Sequence, residues 1–404
     1  MKRKILIIFM VFILAISPIA ANDWNTFQEN IEHTGYLKDA SDFVSNIWVS
    51  DLGNAIKSSP AILDNDIFLI TTEGILKSVD METGEVNWEI DFETPSNSSV
   101  VIHNGTLYVG TDEGLKAVDI EDEDIKWEFD TSNSVESTPF VTNDTVFFGC
   151  DDGHLYGLDF NGNKTVDVEL DGKFRSSPTV TNDTIFIGSS NTKLYALDME
   201  GNEKWTFTTG DAIESVPTYY NSTIMIGSDD GTFYCVDINN GTTLWKADLG
   251  DKIQASASVD GYNYNVYVGS DEGNMTCLDL RNGHVKWSYS TGSPVKSTPA
   301  IKDDYIAFGS DNGNEYVLNK YTGAEELNYN PGAVIFNSPI SSSSVIYGNS
   351  LFFAGEDGYL YSLDIEKLET PLSVFLYYSL AILIVVIIVL AVIAKKVKKG
   401  NRKK

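Results

Sequence analysis

Cysteine, histidine and basic side chains are all scarce in this 404-residue sequence. Its three cysteines (Cys150, Cys235, Cys277) are too few for a disulfide framework, and none falls in a CxxC pair. Cys235 and Cys277 hold equivalent positions in neighbouring repeats (FYCVD, MTCLD), which favours two buried thiols over a bridge. Among the four histidines there is no HExxH, and His33 stands alone in WNTFQENIEHTG, a weak metal signal. GxSxG, P-loop and paired-carboxylate motifs are missing from the contexts they require. All 58 acidic residues but only 18 of the 28 basic ones lie between positions 22 and 371, giving that part a net charge of −40. Such a balance argues against nucleic acid or an anionic membrane surface as partner. Solubility in a salty exterior would explain it equally well.

What is abundant is short strand patterning, punctuated by Gly, Asn and Asp and repeated about every forty residues. Residues 176–210 show it best. SPTV and TIFIG meet across an Asn182-Asp183 turn, KLYALD follows, and EKWTFTT comes after Glu200-Gly201-Asn202. Aligned on SSPxV, the units start at Ser58, Ser98, Ser137, Ser176, Ser215, Ala255, Ser297 and Asn337. Eight such units predict an all-β fold, an eight-bladed β-propeller of four-stranded blades. A stacked solenoid is the alternative, but it needs capping units, and none is visible. The stretch FVSNIWVSDLG, Phe43 to Gly53, reads as a fourth strand without the three before it. The last unit stops after a third strand, LYSLD, at Asp364. The two fragments complete each other, so the N-terminal strand is expected to close the ring and remove its open edges.

Both ends depart from the repeats. Residues 1–21 have a basic start, an apolar run and small residues before Asn22, the pattern of a secretory signal peptide. Ile19 is large for a cleavage site after Ala21, so an uncleaved anchor is the alternative. Residues 22–42 form a lead-in segment expected to dock on the propeller of residues 43–370. Leu372 to Ala394 is an uncharged apolar run long enough for a hydrocarbon core of ~30 Å. A transmembrane helix is expected over 371–394, with the basic tail 395–404 cytoplasmic and the propeller outside. Sequons at Asn104, Asn143, Asn182 and Asn221 recur in the first hairpin turn of four consecutive units, and Asn163 and Asn240 lie in third-to-fourth turns. These are glycosylation candidates, all six on one face; repeated turn chemistry explains much of the pattern.

The third-to-fourth junctions carry a family resemblance. SVDMETGEVNW, ALDMEGNEKW, CVDINNGTTLW and CLDLRNGHVKW resemble the AxDxxTGxxxW signature of pyrroloquinoline-quinone-like propeller repeats. WxxFxxNxxHTG, from Trp24, is similar to the opening of many exported members. The resemblance spans residues 24 to 364 and implies the propeller fold. Trp48, Trp88, Trp127, Trp205, Trp245 and Trp287 are expected to fill the space between blades. Val166 and Leu327 replace tryptophan in two blades, which should be less tightly clamped. The family's enzymes hold a quinone on the axis over Ca²⁺ beneath a vicinal cysteine disulfide. This chain has no adjacent cysteines and no CxxCH for haem, so no quinone cofactor and no enzymatic activity are expected.

In such a ring the fourth-to-first links and second-to-third turns share one face, here called the top. The residue before each first strand should stand near the axis there: Lys57, Asn97, Glu136, Arg175, Glu214, Gln254, Lys296 and Phe336. That ring could hold a small polar or anionic ligand, or its opposite charges could simply compensate each other. Around it, the second-to-third turns carry acids such as Asp112, Asp152, Asp229, Asp271 and Asp311, except in the blade with Ser189-Ser190-Asn191. They could draw a basic partner or bind Ca²⁺ weakly, although tight turns favour Asp and Gly anyway. The sequence therefore reads as an exported, membrane-anchored surface module. It would bind or scaffold other surface or envelope proteins, or a small polar ligand, through its top face. A quinone-dependent dehydrogenase and an envelope-protein assembly factor are the alternatives.

Overall fold

Continuous apolar runs such as Thr106–Thr111 (TLYVGT) and alternating ones such as Asp124–Asp130 (DIKWEFD) take different places in one sheet. The first is buried throughout because it is covered on both faces. The second alternates between exposed and half-buried because only one face is covered. A computed structural model describes residues 47–181, 183–331 and 337–365 of the chain. It contains eight four-stranded antiparallel sheets. We number these blades 1 to 8 along the chain and call their strands A to D from the axis outward. Blades 1 to 7 span 61–91, 101–130, 140–169, 179–208, 218–248, 258–290 and 300–329.

Blade 8 is built from both ends. Val345–Tyr347, Ser350–Ala354 and Tyr359–Asp364 supply strands A to C, and Trp48–Asp51 pairs antiparallel with the last of them as strand D. The ring is therefore closed, as the two sequence fragments imply, and the solenoid is ruled out. Trp48 faces Ser362 across the pair, and its indole Nε1 donates to the Met81 carbonyl of blade 1 at 3.1 Å. Near the axis, hydroxyls stitch blade to blade. Ser59 N donates to Ser99 Oγ (2.9 Å), Thr138 N to Ser177 Oγ (2.8 Å), and Ser343 N to Ser59 Oγ (3.1 Å) across the closure.

The outer seams are held by tryptophan. Besides Trp48, the indoles of Trp127, Trp205, Trp245 and Trp287 donate to carbonyls of Phe160, Ile238, Leu280 and Lys320 in the next blade, at 2.9–3.1 Å. Each of these five lies on the glycine of that blade's C–D turn. At Gly241 (φ +67°) a Cβ would come within 2.5 Å of the Trp205 ring, so the close approach and the left-handed backbone both require glycine. Trp88 packs on Phe68, but in the turn that matches the other seams' glycine turns Glu123, at φ 53°, stands where the glycine would be. Between blades 6 and 7 a buried ion pair joins Lys320 Nζ to Asp260 Oδ2 at 2.9 Å. Cys150, Cys235 and Cys277 are separate, buried, free thiols, and burial pushes each up to about 12.

Among the described residues no helix is long and apolar enough to cross a membrane. The candidate leader, lead-in segment, span and basic tail, with Asn182 and Phe336, lie outside the described residues. Ile365, the last described residue, leaves on the face of the A–B turns, where its amide bonds Asn349 O at 2.9 Å. The exposed sequon residues Asn104, Asn143, Asn163, Asn221 and Asn240 stand in A–B and C–D turns of that same bottom face.

Candidate functional site

Each strand D hands the chain back to the axis through a link laid over the top of its own blade. Link amides bond carbonyls there: Val135 N to Thr111 O (2.9 Å), Phe174 N to Cys150 O (3.3 Å), Ile213 N to Ser189 O (3.1 Å). The bonding residue is a fully buried apolar plug in these and in Ile253, Val295 and Ile340. At Gly188 a Cβ would lie 2.4 Å from Ile213, so the glycine ending strand B makes room for the plug. The residue after each plug is left beside the axis, above the buried layer.

Four consecutive residues of this kind meet. Arg175 is the hub. Its guanidinium lies 3.4 Å from Glu136, 3.9 Å from Glu214 and 3.5 Å from Asp151. Glu214 in turn accepts from Gln254 Nε2 at 2.9 Å, and Gln254 reaches Asp229 at 3.4 Å. Lys173 pairs with Asp151 (2.7 Å), Lys252 with Asp229 (2.6 Å) and Lys296 with Asp311 (3.2 Å). Lys57 and Asn97 are exposed, and among the described residues neither joins the network.

One member of the predicted ring is misplaced. Ser342 Oγ donates to Ala354 O at 2.7 Å, just as Ser137 does to Gly149 O and Ser297 to Gly309 O at 2.8 Å. The eighth unit therefore begins at Ser342, not Asn337, and its axial residue is Ser341, not Phe336. Ser341 Oγ donates to Glu356 at 3.0 Å. The preceding link is longer than the others, and its Asn337-Ser338-Pro339 mimics the SSP start.

The acidic turns divide into two kinds of carboxylate. An Asp or Asn in the second place of a turn caps it. Asp152 accepts from His154 N and Tyr156 OH at 3.1 and 3.0 Å; Asp230 accepts from Thr232 N and Tyr234 OH at 2.8 and 2.7 Å. Asp357 makes the equivalent bonds, and Asn191 accepts from Lys193 N and donates its Nδ2 to Tyr195 OH, so Asp152 belongs to the turn and not to the site. The first acid faces the axial network. The side chains of Asp151 and Asp229 are only 6% exposed. Asp151 Oδ1 and Asp271 Oδ1 are buried with no hydrogen-bond donor among the described residues. Asp151 is the site residue that the sequence reading missed.

This crowding shows in proton affinity. Burial raises the pKa of Glu136 and Glu214, and neighbouring Asp151 and Asp229 add to it, while Arg175 opposes it at both. Asp271 is raised by burial and by Asp251, Asp311 and Asp229, with Lys296 as the opposing cation. Carboxylates recessed among like charges favour an incoming cation.

A quinone held over Ca²⁺ does not fit these residues. The three cysteines are free and sit in blades 3, 5 and 6, so none can roof the axis. Among the described residues no three His, Cys, Asp or Glu side chains converge as metal ligands. Arg175 also stands among the carboxylates, its charge competing with any cation placed between them.

The family model described as outer membrane protein assembly factor BamB matches residues 72–165 and 161–366. The chain belongs to that family of quinone-like propellers. No curated protein matches it in sequence. Among solved structures, BamB from Moraxella catarrhalis superposes with a TM-score of 0.67 at 20% identity, covering 80% of this chain and all of the other. Quinohemoprotein alcohol dehydrogenase from Comamonas testosteroni superposes at 0.71 with 14% identity, covering 86% and 81%. The computationally designed protein Ika8 superposes at 0.68 with 16% identity, covering 78% and 99%. These likenesses establish the shared propeller and nothing finer.

Proposed function

We propose that this propeller is a non-catalytic binding or scaffolding module that engages other envelope proteins through its top face. The chain would be exported and anchored by residues 371–394, with the top turned away from the membrane. Cationic side chains of the partner would meet the axial acids. The observation carrying this reading is the set of recessed first-position acids, Asp151 and Asp271 above all, each with a buried oxygen lacking a donor. The family described as an assembly factor makes scaffolding of other envelope proteins a consistent role. The departure of the chain at the bottom after Ile365 supports the orientation.

Photo-cross-linking in intact cells tests it. A photoreactive residue in place of Glu113, in a top turn, is expected to capture other envelope proteins, whereas one in place of Asn240, in a bottom turn, is not. Capture from position 240 alone would overturn the proposal.

A further inference from the structure

Each of six blades docks a tryptophan on an aromatic ring of its own sheet, and blade 3 breaks the pattern. Five indoles pack on an aromatic ring of strand B in their own blade, and Trp245, whose blade has Met225 at that position, packs on Phe233 of strand C. The pairs are Trp48 with Phe352, Trp88 with Phe68, Trp127 with Tyr108, Trp205 with Phe186, Trp245 with Phe233 and Trp287 with Tyr267. Their centroids are 5.8–6.0 Å apart. Blade 3 keeps the ring, Phe147, but has Val166 where the indole would be. Blade 7 has lost both, with Ala307 and Leu327.

The consequence is a cavity of about 620 Å³ on the bottom face, lined by Phe147, Val166, Thr165, Thr145, Val141 and Met199. That size falls within the roughly 300–1,000 Å³ of small-molecule sites. Met199 holds the position of Phe160, Ile238 and Leu280, whose carbonyls accept the indole N–H at the other seams. The turn glycine is also retained: Gly201, at φ +88°, lies against Val168 and Val166. The ring and the carbonyl that a docked indole uses are thus both present without the indole, and Val168 covers the glycine in its place. Asp144 and Glu200 stand at the lining, which disfavours an anionic ligand.

We infer that this cavity binds an uncharged indole supplied from outside the chain. The ring packs on Phe147, and its N–H donates to the Met199 carbonyl. Two sources share this chemistry, a free small indole and a tryptophan side chain of a bound peptide.

Saturation-transfer NMR and melting of the purified full chain test it, with indole, N-acetyltryptophanamide, indole-3-acetate and 1-methylindole as probes. Indole is expected to bind and raise the melting temperature, and indole-3-acetate to bind at least several-fold more weakly. The 1-methyl compound should also bind several-fold more weakly, through loss of the donor. Binding of N-acetyltryptophanamide as well would assign the site to a peptide side chain; binding of indole alone would assign it to a small molecule. Val166→Trp, and as a gentler filling Val166→Phe, should abolish binding while keeping or raising the melting temperature. No indole binding to the wild type, or undiminished binding in both folded variants, would overturn the assignment.

Discussion

Deleting Trp48–Asp51 should open the ring and make the propeller aggregate. Those four residues supply the whole ladder opposite Tyr359–Asp364, so their loss leaves a full strand edge unpaired in blade 8. They also remove the Trp48 indole from Phe352 and from the Met81 carbonyl, and with it the outer clamp between blades 8 and 1. Trp48→Ala alone is expected to cost roughly 3 kcal/mol, the low end for truncating a large aromatic, because the ring is only partly buried. The deletion should cost more and add a concentration-dependent oligomer, seen as a lower denaturant midpoint together with increased light scattering. Trp127→Ala is the internal control. It removes an equivalent clamp without exposing an edge, so it should lower the midpoint but leave the scattering unchanged. Equal behaviour of the two tryptophan variants and the deletion would contradict the closure role.

Raising the pH should destabilise the ring chiefly through one carboxyl group, Glu315. It opens strand C of blade 7, at the position held by Leu76, Leu115, Leu155, Leu194, Phe233, Met275 and Leu360 in the other blades. Its side chain is fully buried, and Ser344 of blade 8 donates to it at 2.6 Å. Burial lifts its pKa from 4.5 to about 8, with the Ser344 hydroxyl opposing the shift. The native state therefore keeps a proton that the unfolded chain loses above pH 4.5. Stability from this group is complete below that value and is lost progressively as pH rises towards about 8. Each pH unit in the window costs about 1.4 kcal/mol. Denaturant midpoints from pH 5 to 9 should fall steeply for the wild type and much less for Glu315→Gln, which keeps the acceptor without the charge. Parallel pH profiles would refute the assignment.

Most of the architecture could be read in advance because a propeller repeats its local signals. Strand alternation, turn glycines and the tryptophan position recur in unit after unit, and the incomplete units at the two ends imply the closure. The misreading fell where a local signal was copied without its tertiary role: Asn337-Ser338-Pro339 looks like a first strand, but the serine hydroxyl that bonds strand B is Ser342. The site was less legible. Position within a repeat placed Glu136, Arg175, Glu214 and Gln254 on one ring, yet that they touch depends on blade packing. In turns with two adjacent acids, sequence cannot tell the capping acid from the axial one. A tyrosine four residues on marks the cap at Asp152, Asp230 and Asp357 and would have separated them. Glu315 among seven apolar equivalents was visible in the alignment of repeats; its meaning required its burial.

The central claim, that the axial acids of the top face receive a cationic partner, is tested most directly by titrating the full chain with a lysine-rich peptide at two ionic strengths. The wild type should bind it, and more weakly as salt rises. Asp271→Asn, which removes a crowded carboxylate without breaking a hydrogen bond of the fold, should weaken binding about five-fold, the equivalent of about 1 kcal/mol for one charged contact. Binding that is indifferent to salt and to Asp271→Asn, or no binding to the wild type, would contradict it.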